Sequence, residues 1–293
     1  TLGNGNVLFI AGYGTTSLVA TVECYTPAGT RTTAPPLSTA TRSPAAATAG
    51  DGSVIVSGGY LRSNNVERYF PNGTKTTLID LRDGRYEHAA ATDGNGNVLF
   101  GGGFVYGVAG EEGAGFQATV DRYDLSGIKT KLLDLQFPRS RLSGTTLVSK
   151  GVIFAGGYGP GVAYASSAIE QYDSIGNRTE LAGLVEARRD HAASTDGNGN
   201  IIFAGGWNNS NKRLGSVERL SASGTMSTLP SLSIESSMSA ASTDGNGNVI
   251  VGGGYANTES SHGKVDRYNS KGEKSQLLDF LQPRRMHAAA TLG

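Results

Sequence analysis

One seven-residue stretch occurs six times, with small changes of spelling: residues 7–13 (VLFIAGY), 54–60 (VIVSGGY), 98–104 (VLFGGGF), 152–158 (VIFAGGY), 201–207 (IIFAGGW) and 249–255 (VIVGGGY). Each copy is a run of β-branched and aromatic residues that ends in small residues and then a ring. A short continuous apolar run of this kind is a strand buried on both faces, and glycine at its end marks a place where another backbone comes close. The terminal rings, Tyr13, Tyr60, Phe104, Tyr158, Trp207 and Tyr255, follow one another at intervals of roughly fifty residues. Repetition from end to end makes residues 1–293 one continuous architecture rather than two average domains.

The rest of each repeat supplies three more strands. A small-residue strand such as His88-Ala89-Ala90-Ala91-Thr92 precedes the buried one, joined to it by Asp93-Gly94-Asn95-Gly96-Asn97, and the same joint recurs at 196–200 and 244–248. Asp-Gly and Asn-Gly are hairpin chemistry because they tolerate positive φ. After the glycines comes a variable loop and then an alternating strand, Val66-Glu67-Arg68-Tyr69, echoed by Val120-Asp121-Arg122-Tyr123 and Val265-Asp266-Arg267-Tyr268. A tight turn leads to a last, more polar strand such as 128–135, and no helical period of useful length occurs. The segment 286–293 (MHAAATLG) reads as a first strand with no buried strand after it, while 1–13 begins at the joint that should follow it. The expectation is that the C-terminal strand completes the N-terminal blade and closes the ring, removing both free edges. The Thr-Leu-Gly at both ends is expected of a domain cut at a repeat boundary of a longer protein.

These features resemble the kelch-repeat family over the whole chain: the Gly-Gly pair, the Tyr after an acidic residue in the third strand, and the Arg-then-His before the first strand. The chain departs from the family in having no tryptophan in the last strand, since its single one, Trp207, lies elsewhere. The resemblance implies an all-β fold, a six-bladed β-propeller of four-stranded kelch blades.

Composition narrows the function classes. The net charge is zero, so no overall field recruits nucleic acid or an anionic membrane. Only 17% of residues are charged and 43 are glycine, which describes a chain rich in turns and poor in solvated helix faces. A single cysteine, Cys24, excludes an intrachain disulfide, and no spacing matches a zinc site. No apolar run is long enough to cross a bilayer as a helix, and the first residues read as strand rather than signal peptide, as expected of a mature or excised soluble domain. Glycosylation triplets begin at Asn72, Asn177 and Asn208, in a chain so rich in Asn, Ser and Thr that such triplets arise by chance.

A repeated position holds a blade together more often than it forms a unique site. The acids two residues before the third-strand marker, Glu23, Glu67, Asp121, Glu170, Glu218 and Asp266, are therefore read as structural partners rather than an acid/base ring. His88, His191 and His287 share one repeat position and are read as packing groups rather than metal ligands, and the Asp-Gly-Asn-Gly-Asn joints as hairpins rather than calcium loops. No cofactor and no metal is expected. Antiparallel strands put the repetitive joints on one face and the variable loops, 106–117, 159–167, 208–215 and 256–264, on the other. Loops that vary on a rigid frame are where recognition resides. The same face should carry the arginines that precede the first strands, Arg42, Arg85, Arg139, Arg188, Arg189, Arg284 and Arg285, with Arg62 in a loop. Arginine offers a flat bidentate donor array for carboxylates or phosphates, and can equally bond to loop carbonyls and to nearby acids such as Asp83, Glu87, Glu186 or Asp190. Beside them stand the six rings Tyr13, Tyr60, Phe104, Tyr158, Trp207 and Tyr255, able to stack on sugars or peptide side chains or to fill space between blades. In peptide-binding kelch domains the matching face carries Arg and Tyr contacts, which the resemblance passes to Tyr60 and Arg62.

The reading is a non-enzymatic binding module for a glycan or an acidic or extended peptide, part of a secreted or surface protein of a bacterial kind, with no nucleic acid and no membrane insertion. Two alternatives stand beside it. Sialic acid mutarotases are similar kelch proteins using Arg and Glu near the axis, roles in which Arg188, Arg189 and Glu186 can be cast. A structural spacer or assembly unit would instead use its variable loops for protein contacts. Galactose oxidase is also kelch-like but needs a Tyr-Cys crosslink at the axis, and Cys24 lies inside a third strand.

Overall fold

A computed structural model describes residues 1–14, 16–107, 114–147, 151–161, 164–286 and 289. The chain divides into two compact units, Thr1–Ser140 with Ser174–Asn177 and Leu292–Gly293, and Arg141–Asp173 with Arg178–Thr291. Both are built from antiparallel sheets. The first unit has a three-stranded sheet (Val7–Tyr13, Leu18–Tyr25, Arg31–Ala34) and two four-stranded ones (Ala45–Thr48, Val54–Ser57, Val66–Tyr69, Lys75–Thr77; Ala89–Thr92, Val98–Gly101, Val120–Tyr123, Lys129–Lys131). The second has three four-stranded sheets (Ser143–Leu147, Gly151–Ala155, Ile169–Tyr172, Arg178–Glu180; Ala192–Thr195, Ile201–Ala204, Val217–Leu220, Met226–Leu229; Ala240–Thr243, Val249–Gly252, Val265–Tyr268, Lys274–Gln276). Strands follow chain order across each sheet, an all-β arrangement that fits a β-propeller.

The second strands are the core. Val98, Leu99 and Phe100 are fully buried although successive side chains point to opposite faces, so each sheet is covered on both sides there. Burying one such side chain contributes roughly 1.5–3 kcal/mol. The first copy of the repeat departs from the expectation: Phe9 is 52% exposed and Val7–Tyr13 is half-buried along its length. Its sheet has three described strands, with Val7–Tyr13 at the edge. Most of the segment expected to cover that edge, 287–288 and 290–293, lies outside the described residues.

Repeated polar contacts join neighbouring sheets within each unit. A first-strand threonine donates to a carbonyl of the preceding sheet: Thr92 Oγ1 to Thr48 O at 2.6 Å, and Thr243 Oγ1 to Thr195 O at 2.5 Å. The hairpin joints touch glycine to glycine, as in Gly50 N–H to Gly96 O and Gly197 N–H to Gly247 O, both 2.9 Å. A Cβ on Gly197 would come within 2.8 Å of Gly247 Cα, closer than any side chain tolerates. Within each joint Asp93, Asp196 and Asp244 accept backbone N–H groups of their own turn, so their carboxylates are used in the hairpin.

The second glycine of the pair is a further joint. Its N–H donates to a carbonyl of the next repeat: Gly59 to Arg85 O at 2.8 Å, Gly157 to Arg188 O at 2.9 Å, Gly254 to Arg284 O at 2.7 Å. The residue two places after that carbonyl is left-handed in every repeat: Ser43, Glu87, Arg141, Asp190, Met238 and Met286, with φ from 53° to 57°. In the second unit these residues hydrogen-bond one another, Asp190 N–H to Arg141 O, Met238 N–H to Asp190 O and Met286 N–H to Met238 O. The strained conformation is held because it turns an N–H and a carbonyl toward adjacent repeats.

Candidate functional site

The arginines before the first strands divide into two sets. Arg85, Arg139 and Arg188 are fully buried. Arg85 pairs with Asp121 at 2.9 Å, and Arg188 pairs with Glu218 at 2.5 Å while also donating to Gly205 O and Ser216 O. Burial draws both guanidinium pKa values below the ordinary arginine range, and the facing carboxylates oppose it. These three side chains do not line an open face: all three are buried, and the third-strand acid of the same repeat reaches Arg85 and Arg188 inside the sheet stack. The other acids at that repeat position are held similarly: Glu67 by Lys75 and the Ser38 N–H, Asp266 by Lys274 and Ser233, Glu170 by Arg178. His88 and His191 are buried against Ser57 and Ser143, each Nε2···Oγ 2.8 Å, and burial pushes both well below the usual imidazole range. His287 lies outside the described residues. Among the described residues no cluster of His, Cys, Asp or Glu has the arrangement of a metal site.

The next residue along in each repeat behaves differently. Arg42, Tyr86, Arg189 and Arg285 occupy this place; Arg42 and Arg285 are exposed, and Tyr86 and Arg189 half-buried. Backbone pairing sets Tyr86 against Phe104 and Arg189 against Trp207, so the ring ending the second strand meets the side chain that enters the first strand of the same sheet. In the first unit this gives Arg42 over Tyr60 (4.1 Å to the ring centroid), then Tyr60–Tyr86 (5.3 Å), Tyr86–Phe104 (5.9 Å) and Phe104–Phe116 (4.9 Å). Tyr106 joins Tyr60 at 5.7 Å and is itself 52% exposed, and Arg62 donates to Tyr106 O. Leu61 and Arg62 both have positive φ, an uncommon conformation for two consecutive bulky residues.

The second unit carries a ladder in which rings and guanidinium groups alternate. Arg189 lies over Tyr158 (5.3 Å) and Trp207 (5.7 Å), Arg213 over Trp207 (4.2 Å) and Tyr255 (4.4 Å), and Arg285 over Tyr255 (3.9 Å). The loop between Trp207 and Arg213 closes on itself: Asn208 N–H donates to Lys212 O, and Asn208 Oδ1 accepts the N–H groups of Ser210 and Lys212. Asn208 Nδ2 donates to Glu186, which also accepts from Ser216. Asn209 Oδ1 accepts from Tyr164 and Ala165, tying this loop to the one before it. Each guanidinium–ring contact contributes about 0.5–1 kcal/mol where exposed and about 2 where desolvated.

The structure therefore brings together Tyr158, Arg189, Trp207, Tyr255 and Arg285 in one unit, and Arg42, Tyr60, Phe104 and Arg62 in the other. Tyr13 stands apart, 63% exposed at the end of the edge strand. Arg284 is exposed and packs over Phe280 at 5.3 Å. Tyr86, Phe116 and Arg213 are additions. Tyr86 could have been found by aligning it with Arg189 across repeats, whereas Arg213 occupies no repeat position.

No protein-family model and no curated protein matches the chain. Among solved structures, that of YjhT resembles it with a TM-score of 0.69 over 95% of this chain and 98% of that one, at 14% sequence identity. At that identity the likeness establishes the fold alone.

Proposed function

We propose that this chain is a non-enzymatic binding module that recognises a glycan or an acidic or extended peptide through the Arg- and aromatic-rich loop side of a six-bladed, kelch-type propeller. The observation that supports it is the alternating ladder Tyr158, Arg189, Trp207, Arg213, Tyr255, Arg285. Ring faces in such an array stack on sugar C–H faces or peptide side chains, and guanidinium groups between them bind carboxylates or other oxyanions. Arg188, cast with Arg189 and Glu186 in the mutarotase alternative, is closed off by Glu218, which leaves binding as the reading the side chains serve best. In this reading segment 286–293 closes the ring against Val7–Tyr13, and the face belongs to a secreted or surface protein.

The test is a glycan and peptide array followed by titration of each hit against Arg189→Ala and Trp207→Ala. The expected result is loss of binding in both with unfolding midpoints near wild type. Retained binding in both variants, or protein-dependent acceleration of sialic acid anomer exchange seen by NMR, overturns the proposal.

A further inference from the structure

Arg213 is unlike every other arginine of the ladder. The residue is only 8% exposed, yet its buried Nε has no hydrogen-bond partner and it forms no ion pair with an acid among the described residues. Arg85 and Arg188, which are fully buried, each face an acid. A largely covered guanidinium without a counter-charge is costly, and the two rings it packs against recover only part of that cost. The exposed carboxylate of Glu259 favours its charge from a distance without pairing with it. Arg285, also over Tyr255, and Arg189, also over Trp207, add positive charge, and of these two only Arg189 is paired, with Asp190 at 3.3 Å. The position is also built rather than incidental, since Trp207 and Arg213 form a backbone bridge across a loop whose turns are internally hydrogen-bonded.

We infer that Arg213 anchors an oxyanion subsite that takes the carboxylate of an acidic sugar, with the sugar ring lying against Trp207 or Tyr255. This rests on the binding-face reading above and adds to it a ligand class and a residue. The carboxylate supplies the missing acceptor for the guanidinium fork, and the flanking rings offer the flat apolar faces a pyranose covers. A neutral sugar would bring no counter-charge to the guanidinium, so the subsite discriminates by charge.

Trp207 is the chain's single tryptophan and touches Arg213, so its fluorescence responds to binding at this subsite. Oligogalacturonate, a neutral cello-oligosaccharide, a polyglutamate peptide and sodium acetate are titrated against wild type, Arg213→Met, Arg213→Lys and Trp207→Phe, the last followed by calorimetry. The expected result is a saturable shift of Trp207 emission with oligogalacturonate, weakened about tenfold or more in Arg213→Met and less in Arg213→Lys, which keeps the charge but loses the fork. If Arg213→Met does not fold, Arg213→Lys alone carries the comparison. Wild-type affinity in folded Arg213 variants, with binding lost in Trp207→Phe, overturns the anchor and leaves the binding face standing. Arg213-dependent binding of polyglutamate with no response to oligogalacturonate overturns the sugar assignment, and equal affinity for acetate reduces the site to a simple anion site. No binding of any probe, together with an empty array, overturns both proposals.

Discussion

Arg188 and Arg189 adjoin in sequence and have opposite fates. Removing the side chain of Arg188 strands Glu218 in the core, and breaking a buried pair in this way costs about 3–5 kcal/mol. Arg188→Ala should therefore show that loss in urea unfolding, whereas Arg189→Ala, acting on a partly exposed side chain, should change stability by less than about 1 kcal/mol and act on ligand binding. The double change Arg188→Met with Glu218→Leu should recover most of the loss, because an apolar pair of similar volume removes both desolvation penalties. Equal destabilisation by the two single variants would show that the buried and exposed positions are not distinct. His191 makes a second residue-level prediction. Burial, reinforced by Arg188, lowers its pKa from 6.5 to about 3, so the folded state holds the neutral ring while the unfolded chain takes up a proton below about pH 6.5. Its contribution is complete above that pH and is lost as pH falls toward 3, with a slope of up to about 1.4 kcal/mol per pH unit. His88 shifts in the same direction. Unfolding free energies between pH 6.5 and 4.5 should fall with pH in wild type and fall less steeply in His191→Gln.

At the scale of the strand, the two glycines that end each buried run serve different purposes. The second donates its N–H to the next repeat, and the first lets that repeat's backbone approach: a Cβ on Gly205, at φ +64°, would lie 2.4 Å from Ser236 O. The first repeat has Ala11 at that place, at φ 57°, on the edge strand where packing is loosest. Gly205→Ala should destabilise by about 1–3 kcal/mol from backbone conformation, plus whatever the clash adds, measured by chemical denaturation. A neutral effect would mean that the sheets part easily at this joint. Hairpin joints, buried runs and alternating third strands were legible because each rests on local chemistry. The left-handed residue before each first strand was not, since Ser43, Glu87, Arg141, Asp190, Met238 and Met286 have no side-chain property in common. Its conformation is imposed by backbone bonds between repeats, which leave no mark on residue type.

At the scale of the molecule, a net charge of zero makes recognition a local matter, decided where guanidinium groups gather rather than by a field over the whole surface. Ring closure is tested at this scale. If segment 286–293 pairs with Val7–Tyr13, deleting it should expose that edge, lower the thermal midpoint by several degrees and promote self-association, since an unpaired strand edge is a template for another chain. An unchanged midpoint and a monomeric elution profile would argue that the edge is covered in some other way.

What the sequence determined by itself is the repeating unit: a buried β-run, its glycines, its hairpin and its alternating partner, all set by contacts a few residues apart and so written at fixed spacing. The same spacing proved a poor guide to the site. Arg85, Arg139 and Arg188 look like a donor array in one dimension, and the third-strand acids, some thirty residues further on, enclose two of them in ion pairs and leave all three buried. Which arginine faces a carboxylate and which lies between two rings depends on how the sheets stack and on where a loop of no repeating sequence returns. Arg213 was invisible until the fold carried it between Trp207 and Tyr255, because a position that occurs once has no period to betray it.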